Sequence, residues 1–188
     1  MNYTPFFRTQ PRLTRKSNIA VVRGEWFEPF IRAVLADEAI DSEYKAFLIV
    51  CLCGGLRVSE GLSLSKKSFE VDGEALYARV PVLKKRGKEE RLICIHPDAA
   101  GFVRSVVTSK IGPLFHWHRT TCLRKIQAYL AVDGICNHSL RHSAVSYFLF
   151  QARLSREETA KRVHLSAKIV DVYAHLDGTL RKLFRGNS

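Results

Sequence analysis

The sequence predicts an α+β fold, mainly helical, with a small antiparallel three-stranded sheet. Two patterns predict it. Apolar residues recur at the i, i+3, i+4 spacing of a helix face through most of the 188 residues. The period changes only between about residues 69 and 95, where β-rich runs flank a charged segment containing a glycine. Composition bounds the rest: at 46% hydrophobic and 26% charged the chain reads as soluble and globular, and its length suits a single core.

Taken in order, residues 1–18 carry Arg8, Arg12, Arg15 and Lys16 among Thr, Pro and Asn with no sustained apolar period, which predicts a basic arm or linker before a domain at 19–188. From Gly24, the residues Trp26, Phe27, Phe30, Ile31, Val34 and Leu35 keep helical spacing, so one face is expected to be buried. Asp41 or Ser42 suits the cap of a second helix, whose mostly apolar run from Tyr44 to Leu52 ends at Gly54-Gly55 and should be central. Residues 56–60 open a short helix that closes near Ser65. Residues 75–82 and 91–95 form a hairpin around the cationic tip Lys84-Lys85-Arg86-Gly87-Lys88, and residues 69–71 add a third strand. Helices follow at about 97–109, 119–132, 139–151, 156–163 and 167–176, with Ser155 and Glu158 in capping-box register for the fourth. There is no internal repeat and no low-complexity segment.

Lys plus Arg number 30 against 18 Asp plus Glu, a formal charge of +12. The expected partner is therefore anionic, a nucleic acid or an acidic membrane surface. The longest apolar run, at 46–53, is far short of the ~18 to 20 residues that span a bilayer, and Met1 opens no charged-then-apolar leader, so a soluble cytoplasmic protein is expected. Cys51, Cys53, Cys94, Cys122 and Cys136 lie in or beside apolar stretches without a CxxC spacing and read as reduced core thiols.

Common catalytic layouts are missing from the sequence: no HExxH, no Walker lysine loop, no GxSxG. His116 with His118, and Cys94 with His96, lack a partner pair at zinc-site spacing. What remains is a set of cations and one tyrosine. Arg57 follows the Gly-Gly break with Glu60 three residues on, either an ordinary surface ion pair or part of a site. His138 and Arg141 stand at i and i+3, so both polar groups project together beside a helix whose buried side is Leu140, Ala144, Val145, Phe148 and Leu149; the alternative is that both simply meet solvent. His164 lies in Arg-Val-His-Leu-Ser, and Tyr173, nine residues later, would by itself read as a core or rim aromatic.

Together these segments resemble the catalytic domain of the tyrosine recombinase (phage integrase) family, over about residues 20–178. Gly55-Leu56-Arg57-Val58-Ser59-Glu60 is similar to its first arginine box, and His138-Ser139-Leu140-Arg141-His142 to its His-x-x-Arg box with the following histidine. His164 holds the third position and Tyr173 the nucleophile position, at the family's habitual separations. The resemblance implies the DNA breaking-rejoining fold and cleavage of DNA through a 3′-phosphotyrosyl link, with no cofactor, metal or ATP. Arg57, Arg141 and His164 would hold the phosphate, and His138 would handle a proton near Tyr173. Glu60 and His142 would support them. Arginine suits such a clamp because its charge is permanent and its planar fork matches two phosphate oxygens.

The family's catalytic lysine protonates the leaving oxygen from a hairpin tip. Lys84, Lys85 and Lys88 all compete for that place, with Lys85 preferred; Lys84, Arg86 and Lys88 would then touch the DNA backbone. The implied partners are double-stranded DNA recombination sites, further copies of the chain in a tetramer on DNA, and accessory DNA-bending proteins, with no membrane. The tail at 180–184 is a candidate for packing against a neighbouring protomer, or equally on its own core. Two other readings stay open, a topoisomerase-like nicking and resealing enzyme and a non-catalytic DNA-binding module. Three departures from the family stand out. Arg162-Val163-His164 replaces its usual Leu-Gly-His, Gly61 replaces an apolar residue, and the helical core-binding domain that usually precedes the catalytic one is expected to be absent.

Overall fold

A helix that is apolar on all sides has to be buried on all sides, and α2 (Ser42–Gly54) is: every residue from Tyr44 to Gly54 is buried. The computed structural model describes residues 1–11, 18–82, 89–136 and 138–170, apart from the side chains of residues 8–11, 18 and 19. At the start of α2 the Asp41 carboxylate accepts from the Tyr44 amide at 2.7 Å, as a cap should. Lys45 is buried within this helix because its Nζ donates to the Leu35 carbonyl at 2.7 Å.

Around α2 pack α1 (Phe27–Ala36), α4 (Pro97–Ser109) and α6 (Ser139–Phe150). From α5 (Arg119–Leu130) come Cys122, Ile126 and Leu130, and the Tyr44 hydroxyl donates to the Cys122 carbonyl at 2.8 Å. The last described helix, α7 (Arg156–Val163), opens with the expected capping box of Ser155 and Glu158. Its Val163 joins Ala144, Val145 and Phe148 of α6 in a small second cluster.

Strands β3 (Phe69–Asp72), β4 (Ala75–Pro81) and β5 (Glu90–Cys94) form the antiparallel sheet in that order. Leu76, Ala78 and Val80 are buried on the inward face of β4, the alternation expected when one face of a sheet is covered. The hairpin rungs pair Val80 with Arg91 and Pro81 with Glu90, and the Val82 amide donates to the Glu89 carbonyl at 2.9 Å.

The N-terminal stretch differs from the expected arm. β1 (Phe7–Pro11) pairs antiparallel with β2 (Asn18–Val22), and Tyr3, Phe7, Ala20, Val21 and Val22 are buried. The Tyr3 hydroxyl donates to Asp37 at 2.9 Å, and its ring meets Phe30 edge-on. These apolar groups are two to five residues long, too short to show a period, and they gain their burial from α1 and α6. The Val22 amide reaches the Ser143 hydroxyl of α6 at 2.8 Å.

Cys51, Cys53 and Cys122 are buried free thiols, but Cys94 is exposed because it sits on the outward face of the edge strand β5. Burial pushes the Cys53 thiol up to about 12 and the Cys122 thiol to about 11. Arg12, Arg15, Lys16, Lys84, Lys85, Arg86, Lys88, Tyr173 and the tail at 180–184 lie outside the described residues, while 167–170 are helical. Among the described residues no helix is long and apolar enough to cross a membrane.

Candidate active site

The site is built where α2 stops. Gly55 caps it at φ 56°, a left-handed conformation that costs a side-chain-bearing residue about 1 to 2 kcal/mol. Space is the stronger constraint, since a Cβ at Gly55 would lie 2.8 Å from Cγ1 of Val163 and 3.2 Å from Cβ of Ala144. Only glycine lets the end of α2 come this close to α6 and α7. The chain then enters α3 (Val58–Leu62) with Arg57 at its N-cap. The Arg57 amide donates to Oε2 of Glu60 at 2.8 Å, and its Nη1 donates to Oε1 at 2.5 Å. Glu60 is 1% exposed and Arg57 20%, so the surface ion pair considered from the sequence is excluded. Gly61 has its own reason: a Cβ there would lie 2.7 Å from the Cys51 sulfur, because α3 rests directly on α2.

His138 and Arg141 do not project together, contrary to the expectation from their spacing. His138 is exposed at the N-cap of α6, whereas Arg141 is buried. Two helix ends draw the guanidinium inward, because α2 and α7 both point their terminal carbonyls, the negative ends of their dipoles, at this spot. Nη1 of Arg141 donates to the Gly55 carbonyl at 2.9 Å and reaches Oε2 of Glu60 at 3.4 Å. Its Nη2 donates to the Val163 carbonyl and, at 3.2 Å, to that of His164. His164 caps α7 at φ 50°, which turns its carbonyl back toward Arg141 and leaves its side chain half-buried. His142 is half-buried in the first turn of α6.

A third arginine belongs to the cluster and was not singled out from the sequence. Arg91 on β5 has a side chain only 8% exposed, and its Nη2 lies 3.4 Å from Oε2 of Glu60. Its Nη1 donates to the Gly54 carbonyl at 2.7 Å and also to the Arg162 carbonyl. The signal was present in the strand period, for Arg91 is in phase with Ile93 and Ile95, both buried.

Burial alone would push the Glu60 carboxyl up. The Arg57 amide, then Arg91, Arg141 and Arg57 by charge, outweigh it and hold the group below the usual carboxylate range. Burial lowers Arg91 in spite of Glu60. Three guanidinium groups thus share one carboxylate, a surplus of positive charge at the junction of α2, α3, α6, α7 and β5. Of the three, Arg57 is the most open to a ligand. A surplus of positive charge that reaches solvent at Arg57 attracts an anion. Arg57, Glu60, Arg141 and the backbone of His164 are brought together, with His138 and His142 in the adjoining turn of α6.

No protein-family model and no curated protein sequence matches the chain. Its fold does match solved structures. The XerH site-specific recombinase bound to palindromic difH substrate superposes with a TM-score of 0.63 at 17% identity, over 89% of this chain and 52% of that one. The chain thus spans about half the length of XerH. The catalytic domain of bacteriophage HP1 integrase matches with a TM-score of 0.58 at 17% identity, over 90% of this chain and 95% of that domain. The Tn1549 transposon integrase in complex with a circular intermediate DNA gives 0.56 at 13% identity, over 81% of this chain and 60% of that one. At these identities the likeness is one of architecture: the chain has the fold of the tyrosine recombinase and integrase catalytic domain, a mainly helical body with a small antiparallel sheet.

Proposed function

We propose that the chain is the catalytic unit of a site-specific DNA recombinase that works through a tyrosine nucleophile. One observation carries the reading: Arg57 and Arg141, from motif boxes far apart in sequence, meet on the buried carboxylate of Glu60 with the His164 backbone attached. A shared charge partner of that kind fixes two forks side by side, the geometry a phosphodiester needs. Supporting it are the spacing of His164 and Tyr173 in the sequence and the XerH and Tn1549 structures, which hold DNA.

In the proposed reaction the Tyr173 oxygen attacks the scissile phosphorus. A bond forms between Oη and phosphorus and the bond to the 5′ oxygen breaks. The tyrosine proton passes toward His138, and the 5′ oxygen takes a proton from the hairpin lysine, Lys85 by preference. Attack by a partner strand's 5′ hydroxyl reverses these steps and rejoins the DNA. One phosphodiester replaces another, so the exchange requires no ATP.

Arg57 meets the non-bridging oxygens first because it is the more exposed fork, and its loss should cost about a hundredfold to a thousandfold in rate, the effect of one oxyanion donor. The Nη groups of Arg141 donate to Gly55, Val163, His164 and Glu60, so phosphate engages this fork by replacing carbonyl acceptors. His164 hydrogen-bonds the same phosphate and His142 supports Arg141. Lys84, Arg86 and Lys88 contact the DNA backbone beside the site. Two DNA sites held by four copies of the chain would complete strand exchange.

The test is covalent capture from a pool of random-sequence duplexes nicked a few nucleotides beyond each potential cleavage point, so that the short 5′-hydroxyl fragment is lost and the enzyme is trapped. Wild-type chain should yield a denaturant-stable protein-DNA adduct, and Tyr173→Phe none. No adduct from the wild type would sink the catalytic reading and leave a DNA-binding module. A plasmid carrying two captured sites then separates recombination from relaxation alone.

A further inference from the structure

Two buried guanidinium groups bridge the same two helix ends, one residue apart. Arg91 donates through Nη1 to the Gly54 carbonyl at the end of α2, at 2.7 Å, and to the Arg162 carbonyl in the last turn of α7. Arg141 repeats the pattern on the next residue of each end, donating through Nη1 to the Gly55 carbonyl at 2.9 Å and through Nη2 to that of Val163. Both guanidinium groups also lie 3.4 Å from Oε2 of Glu60. A helix C-terminus is equivalent to about half a negative charge, so each of these ends draws a cation. The two bridges differ in what carries them. Arg141 comes from α6, whereas Arg91 comes from β5, where it is paired with Val80 in the antiparallel ladder. The end of α2 rests directly on that strand, since a Cβ at Gly54 would stand 2.6 Å from Cδ1 of Ile93.

From this duplication we infer that Arg91 is a positioning residue for Arg141: it holds the ends of α2 and α7 together when Arg141 exchanges their carbonyls for a phosphate. The inference rests on the proposed strand-transfer reading, in which that exchange takes place. Without Arg91, the exchange would remove the guanidinium that joins two helix ends of like sign beside the Glu60 carboxylate. Arg141 would then stay on its carbonyls. A guanidinium suits the bridging task because its planar fork reaches separated acceptors at fixed angles, whereas an ammonium is a single point on a flexible stem. With a side chain only 8% exposed, Arg91 makes no phosphate contact of its own and acts through Arg141.

The test is the salt dependence of binding to one captured duplex, measured in the Tyr173→Phe background so that no covalent link forms. On a log-log plot affinity falls with a slope of about −0.9 per phosphate neutralised, and loss of one contact makes the slope shallower by about 1. Arg141→Met should shift it by that amount. Arg91→Met should also shift it by about 1, although Arg91 touches no DNA, because Arg141 is then kept on its carbonyls. The two changes together should shift it by about 1 and not by about 2, since both remove the same contact. A merely structural Arg91 would leave the slope alone. Arg91→Lys, which keeps the charge and loses the fork, replaces Arg91→Met should the methionine variant fail to fold. A folded Arg91 variant with an unchanged slope overturns the inference, and so does an unchanged slope in Arg141→Met. A double variant shifted by about 2 also overturns it, by making Arg91 a phosphate contact in its own right. Wild-type chain that captures no duplex at all overturns the strand-transfer reading, and this inference with it.

Discussion

Glu60 lies at the centre of the pocket although it is an acid in a site proposed for an anion. Its buried carboxylate faces Arg57, Arg91 and Arg141, and without it their mutual repulsion would be uncompensated. Removing one partner of a buried charge pair costs about 3 to 5 kcal/mol, so Glu60→Gln should lose stability on that order in urea unfolding near neutral pH. The sign of the pH dependence follows from the lowered carboxyl. Its stabilisation is fully present above the unfolded value, about 4.3, and is lost as pH falls through the lower folded value. The gap between wild type and Glu60→Gln should therefore hold steady from neutral pH to about 5 and close in stronger acid. A gap that widens in acid would contradict this assignment. At this scale the sequence was partly legible. Arg57, Glu60 and Arg141 stood out by spacing, but the burial of Arg141 depends on carbonyls contributed by Gly55 and Val163, which no local pattern connects to it.

The elements were more legible than the side chains they carry. A continuous apolar run predicts a buried α2, and the Gly54-Gly55 pair ends it as expected. The β4–β5 hairpin could be read from composition because the helical period is interrupted there. The β1–β2 pair was not readable, since strands joined to short aromatic groups acquire their burial from α1 and α6 and show no period of their own. Junctions are where the site was least visible, and Gly55 is the clearest case. Gly55→Ala adds about 1 to 2 kcal/mol of left-handed strain and about 1 to 3 kcal/mol of overpacking against Val163. It should lower the thermal midpoint and also slow adduct formation, by moving the carbonyl that holds Arg141. Full stability with full activity would show that the α2–α7 approach does not matter to the site.

For the molecule as a whole, the net charge of +12 and the arginine pocket bear on different stages of one process. Diffuse charge governs encounter and is screened by salt, while the pocket acts on a single phosphate. Duplex affinity should fall on a log-log plot against salt with a slope of about −0.9 per phosphate neutralised. Arg57→Ala should make that slope shallower by about 1, as the loss of one phosphate contact requires. An unchanged slope would place Arg57 away from the DNA. The proposal itself stands or falls on covalent chemistry, and the most direct measurement is proteolysis of the captured protein-DNA adduct followed by mass spectrometry of the peptide that carries the nucleotide. The proposed chemistry predicts a 3′-phosphate ester on Tyr173 alone; the nucleotide on any other residue, or a captured complex with no ester bond, would contradict it.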